Sequence, residues 1–441
     1  MSVHDRRLSL SRRHFILTTT LAAGGLVLGC SDQAGRVLGP SIDPLSKSLP
    51  APDQSGVDHI VVVMMENRSF DHMAGWLSGA DGRQSGLSYT DADGTRHKTH
   101  PLAPDFQGCG HPDPDHSFEG GRVEYNNGAC DGWLRAGSND EYAIGYYRRQ
   151  DLAFLGHALS DWVSFDRYFA AMMGPTLPNR IYQHAAQTDR LESIPLPLST
   201  LPTIWDRLAT ANVPGRYYFS DVPTLALWGD KYIGISRPIA QFFTEAAAGQ
   251  LPAVAFVDPR FLGEEAGVSN DDHPHADIRA GERFLNQIYG AVTGGPSWKN
   301  TVLIVTYDEW GGFFDHVPPP AGSVTSAERA LGYTDGLRGF RIPVMLASPM
   351  ARRGEIAHTV FDHTSILKLI EWRWSLDPLT DRDAQANNLA TVLNFKSQDL
   401  SATQYSVPDI SSSPCSIAAP QVEEDLWGAL LQVARANGWQ V

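Results

Sequence analysis

The sequence predicts an α/β protein: a central, mostly parallel β-sheet with helices on both faces. Three observations carry that expectation. Residues 60–65 read Ile-Val-Val-Val-Met-Met and residues 302–305 read Val-Leu-Ile-Val; runs so continuously apolar have no wet face and belong to strands buried on both sides. Both runs stop at ligand-capable side chains, Glu66-Asn67 and Asp308-Glu309, and in open α/β sheets ligands bind at the carboxyl ends of the strands. Between them, residues 277–292 place Ile278, Phe284, Leu285, Ile288 and Tyr289 at helical spacing, a crossover that returns the chain for a parallel strand.

At 441 residues the chain has room for one large α/β domain or for two or three smaller ones. A net charge of −15 argues against a grip on nucleic-acid phosphates, so no nucleic-acid partner is expected. The first thirty residues read as an address: Ser11-Arg12-Arg13-His14-Phe15-Ile16-Leu17 precedes an apolar stretch, Leu21 to Leu28, too short to span a bilayer. This resembles a twin-arginine export signal, which implies the twin-arginine translocation machinery as a partner. Val27-Leu28-Gly29-Cys30 further resembles a lipoprotein cleavage box, in which Cys30 would be lipidated and anchor the chain to a membrane; cleavage nearby with Cys30 incidental is the alternative. The expected location is periplasmic, secreted or lipid-anchored at the cell envelope. Residues 31–55 read as a flexible tether, 56–400 as the folded domain, and 401–441 as a linker with a C-terminal helix. In an oxidising compartment Cys109 and Cys130 could pair across their short loop, or each could stay an unpaired structural residue.

Taken in order, the domain opens with the strand that ends at Glu66-Asn67, and Ser69 is placed to cap a helix starting near Phe70. Residues 80–140 are loop-rich, with polar clusters around His111 to His116 and Asn126 to Trp133, of the kind that commonly build a site. A helix is expected over about 141–160, with Tyr142, Ile144, Tyr146, Leu152, Phe154, Leu155, Ala158 and Leu159 inward. Gly174-Pro175 forces a turn and Pro178 holds Leu177 extended, so helix is expected to resume at Asn179. That turn presents the Thr176 hydroxyl at a helix N-terminus, where partial positive charge favours an oxyanion, with Arg180 one turn later. A helix opens at Thr203, a strand runs through 251–257, and a further apolar strand through 341–349. Phe361-Asp362-His363 leads into a helix, residues 400–420 form a Ser- and Pro-rich linker, and 422–436 is an amphipathic helix ended by Asn437-Gly438.

Four segments resemble, in order, the signatures of one known family: Glu66-Asn67-Arg68-Ser69-Phe70-Asp71-His72, Thr176-Leu177-Pro178-Asn179-Arg180, Asn270-Asp271-Asp272-His273-Pro274, and Asp308-Glu309-Trp310-Gly311-Gly312-Phe313-Phe314-Asp315-His316. This is the phosphoesterase family, which contains bacterial and plant non-specific phospholipases C and an acid phosphatase branch. The resemblance implies an alkaline-phosphatase-like three-layer sandwich. It also implies a divalent ion held by Glu66, Asn67, Thr176, Asp308 and Glu309; an all-oxygen set favours magnesium, calcium or manganese, with zinc possible. Thr176 would be the nucleophile. Arg180 and the histidines would offset phosphoryl charge, His116 or His273 would protonate the leaving alcohol, and the Gly311-Gly312 turn would aim His316 back at the ion. Asp272 and His363 would orient ligands or act directly, while Asp71, His72 and Asp315 cap helices or buttress loops. The expected activity is hydrolysis of phosphate esters of phospholipid type through a phosphothreonine. An acid phosphatase acting on monoesters is the alternative, and a non-catalytic lipoprotein that binds phosphorylated ligands the third.

Overall fold

The computed structural model describes residues 49–264, 266–410, 413–416 and 425–441, all of them within one compact unit, Asp43–Val441. The export signal, Cys30 and most of the tether lie outside the described residues. Eight strands form the main sheet: β1 His59–Met65, β2 Val163–Phe165, β3 Gly215–Phe219, β4 Ser236–Pro238, β5 Val254–Val257, β6 Thr301–Tyr307, β7 Met345–Ala347 and β8 Ile356–Ala357. Their spatial order is β8-β2-β7-β6-β1-β5-β3-β4. All are parallel except β7, which runs against both neighbours. The sheet is therefore mostly parallel, as the apolar runs predict.

The helices in chain order are α1 Phe70–Ala74, α2 Phe118–Tyr125, α3 Leu155–Asp161, α4 Thr176–Ala185, α5 Ile204–Thr210, α6 Ile239–Ala248, α7 Ile278–Gly294, α8 Ser326–Leu331, α9 His363–Trp374, α10 Asp381–Ala384 and α11 Leu426–Ala436. One group, α4 with α5 and α9, packs together, and α6 packs against α7. Successive strand residues point to opposite faces, and every residue from Ile60 to Met65 and from Thr301 to Tyr307 is buried. Both faces of the central strands are thus covered, which makes three layers. Val62, at the centre, lies between Phe256 and Ile304 on its flanking strands.

Three local expectations change. The helix expected over 141–160 is two short 3-10 turns, a two-residue strand and α3. The inward residues are all buried as predicted, but other segments claim the backbone: Tyr147 N–H donates to the His72 carbonyl (2.9 Å), and Leu102 N–H donates to the Tyr146 carbonyl (2.9 Å). Apolar spacing set the burial and tertiary hydrogen bonds set the conformation. Helix α4 starts at Thr176, three residues early, because Pro178 falls in the first turn, where a missing N–H costs nothing. Finally, Cys109 pairs with Cys415, 306 positions away, and Cys130 is a buried free thiol. The linker carrying Cys415 is held by the fold: Cys415 N–H donates to the Ala266 carbonyl at 2.9 Å, and the Tyr405 hydroxyl donates to Asp161 at 2.9 Å.

Candidate active site

The site lies where three neighbouring strands end. Met65 and Tyr307 are register partners, so Glu66-Asn67 and Asp308-Glu309 leave the sheet side by side, and Asp258 follows the last residue of β5 on the other flank. Backbone bonds lock the two acidic turns together. Asp308 N–H donates to the Met65 carbonyl (3.0 Å) and Arg68 N–H to the Glu309 carbonyl (3.1 Å), while Asn67 N–H donates to Asp308 Oδ1 (3.1 Å). Asn67 itself sits at φ 55°, a left-handed conformation that asparagine tolerates better than most residues. Gly311, at φ 62°, passes so close that an added Cβ would stand 2.2 Å from the Asn67 carbonyl oxygen. Only glycine fits there.

Thr176 is the first residue of α4 and is 2% exposed. Its hydroxyl donates to Glu66 Oε2 at 3.3 Å. One turn on, Arg180 Nε donates to Glu66 Oε1 at 2.7 Å, Nη1 donates to Asp258 Oδ1 at 3.2 Å, and Nε lies 3.3 Å from Asp308 Oδ2. The guanidinium therefore sits behind the nucleophile position, among three strand-end carboxylates. Burial pushes the Glu66 carboxyl well up; Arg180 opposes that rise, while Asp308 and Asp271 add to it. Glu309 is likewise pushed well up by burial and by the Asp308 charge, and Asp308 rises through burial against the pull of Arg180.

The donor set fits a hard divalent cation. Asn67 Oδ1, Asp308 Oδ2 and Glu309 Oε1 are buried acceptors with no hydrogen-bond partner, and Glu66 Oε2 receives the Thr176 hydroxyl at 3.3 Å. Buried acceptors that find no donor ordinarily cost stability, and oxygen atoms of this kind are what a hard cation binds. Glu66, Asp308 and Glu309 do not close up to within 4.8 Å of one another; the groups of three among the described residues whose His, Asp or Glu donor atoms all do so are different ones, Asp113-His116-His273 and Asp71-Asp315-His316. The second is already neutralised by Arg341, which donates to Asp315 (2.9 Å) and Asp71 (3.1 Å).

His116 and His273 face the same cleft as Thr176, a cavity of about 410 Å³ also lined by Phe118, Pro175, Leu191, Glu264 and Trp427. His116 Nδ1 bonds the Pro114 carbonyl (2.8 Å), so in the neutral ring Nε2 carries the lone pair that receives Asn67 Nδ2 (3.2 Å). His273 Nε2 lies 3.6 Å from Asp113, and its ring centroid is 6.0 Å from that of His116. Burial holds the His273 imidazole well below its ordinary value, with His116 and His275 adding to the effect.

Other expected site residues are placed around this group rather than in it. His363, the first residue of α9, bonds the Asp308 carbonyl through Nε2 (2.6 Å) and so fixes the acidic turn from behind. Asp272 accepts from the Tyr307 hydroxyl (2.6 Å) and its carbonyl receives Arg68 Nε (2.7 Å). His316 is not brought to the acidic pair: its Nδ1 faces Asp71 at 2.5 Å and its Nε2 Asp81 at 3.2 Å. The glycine pair turns the loop against Asn67 and Pro114, and by His316 the chain has moved past the clamp. Asp258 was missed in the sequence, although an acid directly after a buried strand obeys the rule that singles out Glu66 and Asp308. Glu264 and Trp427 carry no such signal, since their 2.7 Å hydrogen bond joins positions 163 apart.

The sequence pattern of the phosphoesterase family matches residues 57–377. The chain is 26% identical over 397 residues to non-specific phospholipase C6 of Arabidopsis thaliana, covering 81% of this chain and 76% of that one. It is 30% identical over 437 residues to phospholipase C B of Mycobacterium tuberculosis, with 81% of each chain covered. Among solved structures, an alkaline phosphatase superfamily protein from Vibrio parahaemolyticus overlays with a TM-score of 0.41 at 11% identity, covering 88% of each chain. The lipoteichoic acid synthase LtaP from Listeria monocytogenes gives the same score at 8% identity, over 88% of this chain and 93% of that one.

Proposed function

Since this chain belongs to the phosphoesterase family, we propose that it is an exported, metal-dependent phosphoesterase of phospholipase C type that cleaves phosphatidylcholine-like phospholipids through a phosphothreonine. The relatives named phospholipase C support the substrate class. One observation carries the mechanism: the Thr176 hydroxyl, at a helix N-terminus and hydrogen-bonded to Glu66 at 3.3 Å, opens on a cleft shared with His116 and His273.

Thr176 Oγ1 attacks phosphorus and the bond from phosphorus to the glycerol oxygen breaks. Glu66 Oε2 takes the threonine proton, and the His116 imidazole gives a proton to the leaving alcohol; the His273 ring, which burial keeps neutral, is the less suited of the two to that step. Water then attacks the phosphothreonine, the same imidazole removes its proton, and Glu66 returns the first proton to Thr176. Glu66, Asn67, Thr176, Asp308 and Glu309 would hold the ion. When bound, a magnesium, calcium or manganese ion acidifies a coordinated hydroxyl and polarises a phosphoryl oxygen. Arg180 stabilises the carboxylates that frame the nucleophile, because its donors run to Glu66, Asp258 and the Met64 and Met65 carbonyls.

Twin-arginine export, with anchoring through a lipidated Cys30, belongs to the same proposal. The Cys109–Cys415 disulfide supports an oxidising compartment. The test is a hydrolysis panel on purified mature protein: phosphatidylcholine, nitrophenyl phosphocholine and nitrophenyl phosphate, each with and without chelator. Chelator-sensitive turnover of the two diesters is expected. Turnover of the monoester alone would replace the reading with an acid phosphatase.

A further inference from the structure

The family pattern ends at residue 377, yet the wall of the cleft includes Trp427 from α11. Trp427 is 2% exposed and its ring stacks on Phe261 with centroids 3.8 Å apart. Its Nε1–H donates to Glu264 Oε2 at 2.7 Å. The same carboxylate oxygen lies 3.9 Å from His273 Nδ1, while His273 Nε2 faces Asp113 at 3.6 Å. The indole therefore pins a carboxylate beside one ring nitrogen of a histidine that lines the cleft.

Residues 266–273 form no helix or strand of their own, and the chain around them is turned by glycines. It turns at Gly263 (φ 86°) and Gly267 (φ 74°), and chain from beyond the family pattern clasps it. Cys415 N–H donates to the Ala266 carbonyl at 2.9 Å, Gln107 Nε2 donates to both the Gly267 (3.2 Å) and Ser413 (2.9 Å) carbonyls, and Cys415 is bonded to Cys109. Within the region the family pattern covers, the loop ahead of Asp271–His273 is tied by the Asn270–Arg260 pair and by Glu66 N–H on the Asp271 carbonyl, and the C-terminal contacts add the hold on its first half.

We infer that Trp427 is a positioning residue for the reaction: through Glu264 it fixes the orientation of the His273 imidazole, so that the C-terminal helix completes the cleft. This rests on the reading of that cleft as the phosphoester site. Glu264 Oε2 beside Nδ1 and Asp113 beside Nε2 flank the ring with an acceptor on each side, so moving either carboxylate removes one of the two polar neighbours that define the imidazole's place.

The test uses Trp427→Phe, which keeps the stack on Phe261 and removes only the N–H donor. Loss of a bond that orients an active-site group typically costs about 10- to 100-fold, so kcat for nitrophenyl phosphocholine should fall at least about 10-fold while KM stays within about twofold. The thermal midpoint should be nearly unchanged. In a His273→Gln background the same substitution should cost nothing further, because the two residues act as one unit. An unchanged kcat, or an equal fall in both backgrounds, overturns the inference. A crystal structure of Trp427→Phe provides an arm independent of turnover: the His273 ring should be displaced or disordered, and a ring in its original place with Glu264 unmoved also overturns it. If the parent enzyme hydrolyses no phosphate ester, the proposed function fails, and the crystal structure still decides the positioning role.

Discussion

Replacing Arg180 by methionine should be among the most destabilising single changes in the protein. Glu66 and Asp308 are fully buried and Asp258 is 4% exposed. The guanidinium is their shared partner, at 2.5 Å from Glu66, 3.2 Å from Asp258 and 3.3 Å from Asp308. Methionine replaces the apolar stem but leaves those carboxylates without their counter-charge. Removing one partner of a buried ion pair costs about 3–5 kcal/mol, and here one cation answers for three anions, so the upper part of that range is expected. Urea unfolding of the parent and Arg180→Met, both in chelator, measures the loss directly. A divalent cation at millimolar concentration should narrow the gap, since it answers the same charges from the other side. Arg180→Lys should fall between, because an ammonium cannot reach Glu66, Asp258 and the strand-end carbonyls at once. A loss below about 1 kcal/mol, the range of a surface pair, would refute the view of Arg180 as the counter-charge of the site.

Three further outcomes are expected. Gly311→Ala forces a Cβ to within 2.2 Å of the Asn67 carbonyl oxygen at a positive φ; it should cost about 1–3 kcal/mol in unfolding experiments and lower kcat as well, because Asn67 and Glu309 move with the turn. His184 is buried among Trp205, Trp228 and Phe256, and burial lowers its pKa from 6.5 to about 3, with Arg180 adding to the effect. As the pH drops below 6.5 the unfolded chain takes up a proton that the native imidazole refuses, so stability falls by about 2 kcal/mol between pH 7 and pH 5 on this account alone. His184→Gln should lose that part of the acid sensitivity, which urea titrations at the two pH values would reveal. Cys415→Ser should lower stability by about 2–4 kcal/mol, and reductant should weaken the parent similarly while leaving the variant unaffected.

The parts of the fold legible in the sequence were those fixed by continuous chemistry. Strands β1 and β6 announced themselves because burial on both faces demands unbroken apolar runs, and α7 because one face must repeat at helical spacing. Caps were legible for the same reason: Ser69 accepts from His72 N–H at 3.3 Å, as a capping serine should. The acidic ends of β1 and β6 followed from the rule that such sheets bind ligands at their carboxyl ends, and the same rule, applied to β5, would have found Asp258. What stayed hidden depends on contacts between distant segments. The 141–160 stretch has helical spacing, yet its backbone bonds to residues 72 and 102 break it. Cys109 finds Cys415 rather than the nearer Cys130, and Trp427 reaches Glu264, because loop closure over hundreds of residues leaves no local trace. His316 was drawn to the wrong partners for a related reason: its neighbours Gly311 and Gly312 say that the chain turns tightly, but not towards which carboxylate.

The central claim is that Thr176 carries the phosphoryl group between the two half-reactions. The direct measurement is rapid acid quench of the enzyme during turnover of nitrophenyl phosphocholine, followed by mass spectrometry of its peptides. The account predicts a phosphocholine adduct on the peptide that contains Thr176, formed within a turnover and absent from Thr176→Ala, which should be inactive. An adduct on another residue, or undiminished turnover by Thr176→Ala, would contradict it.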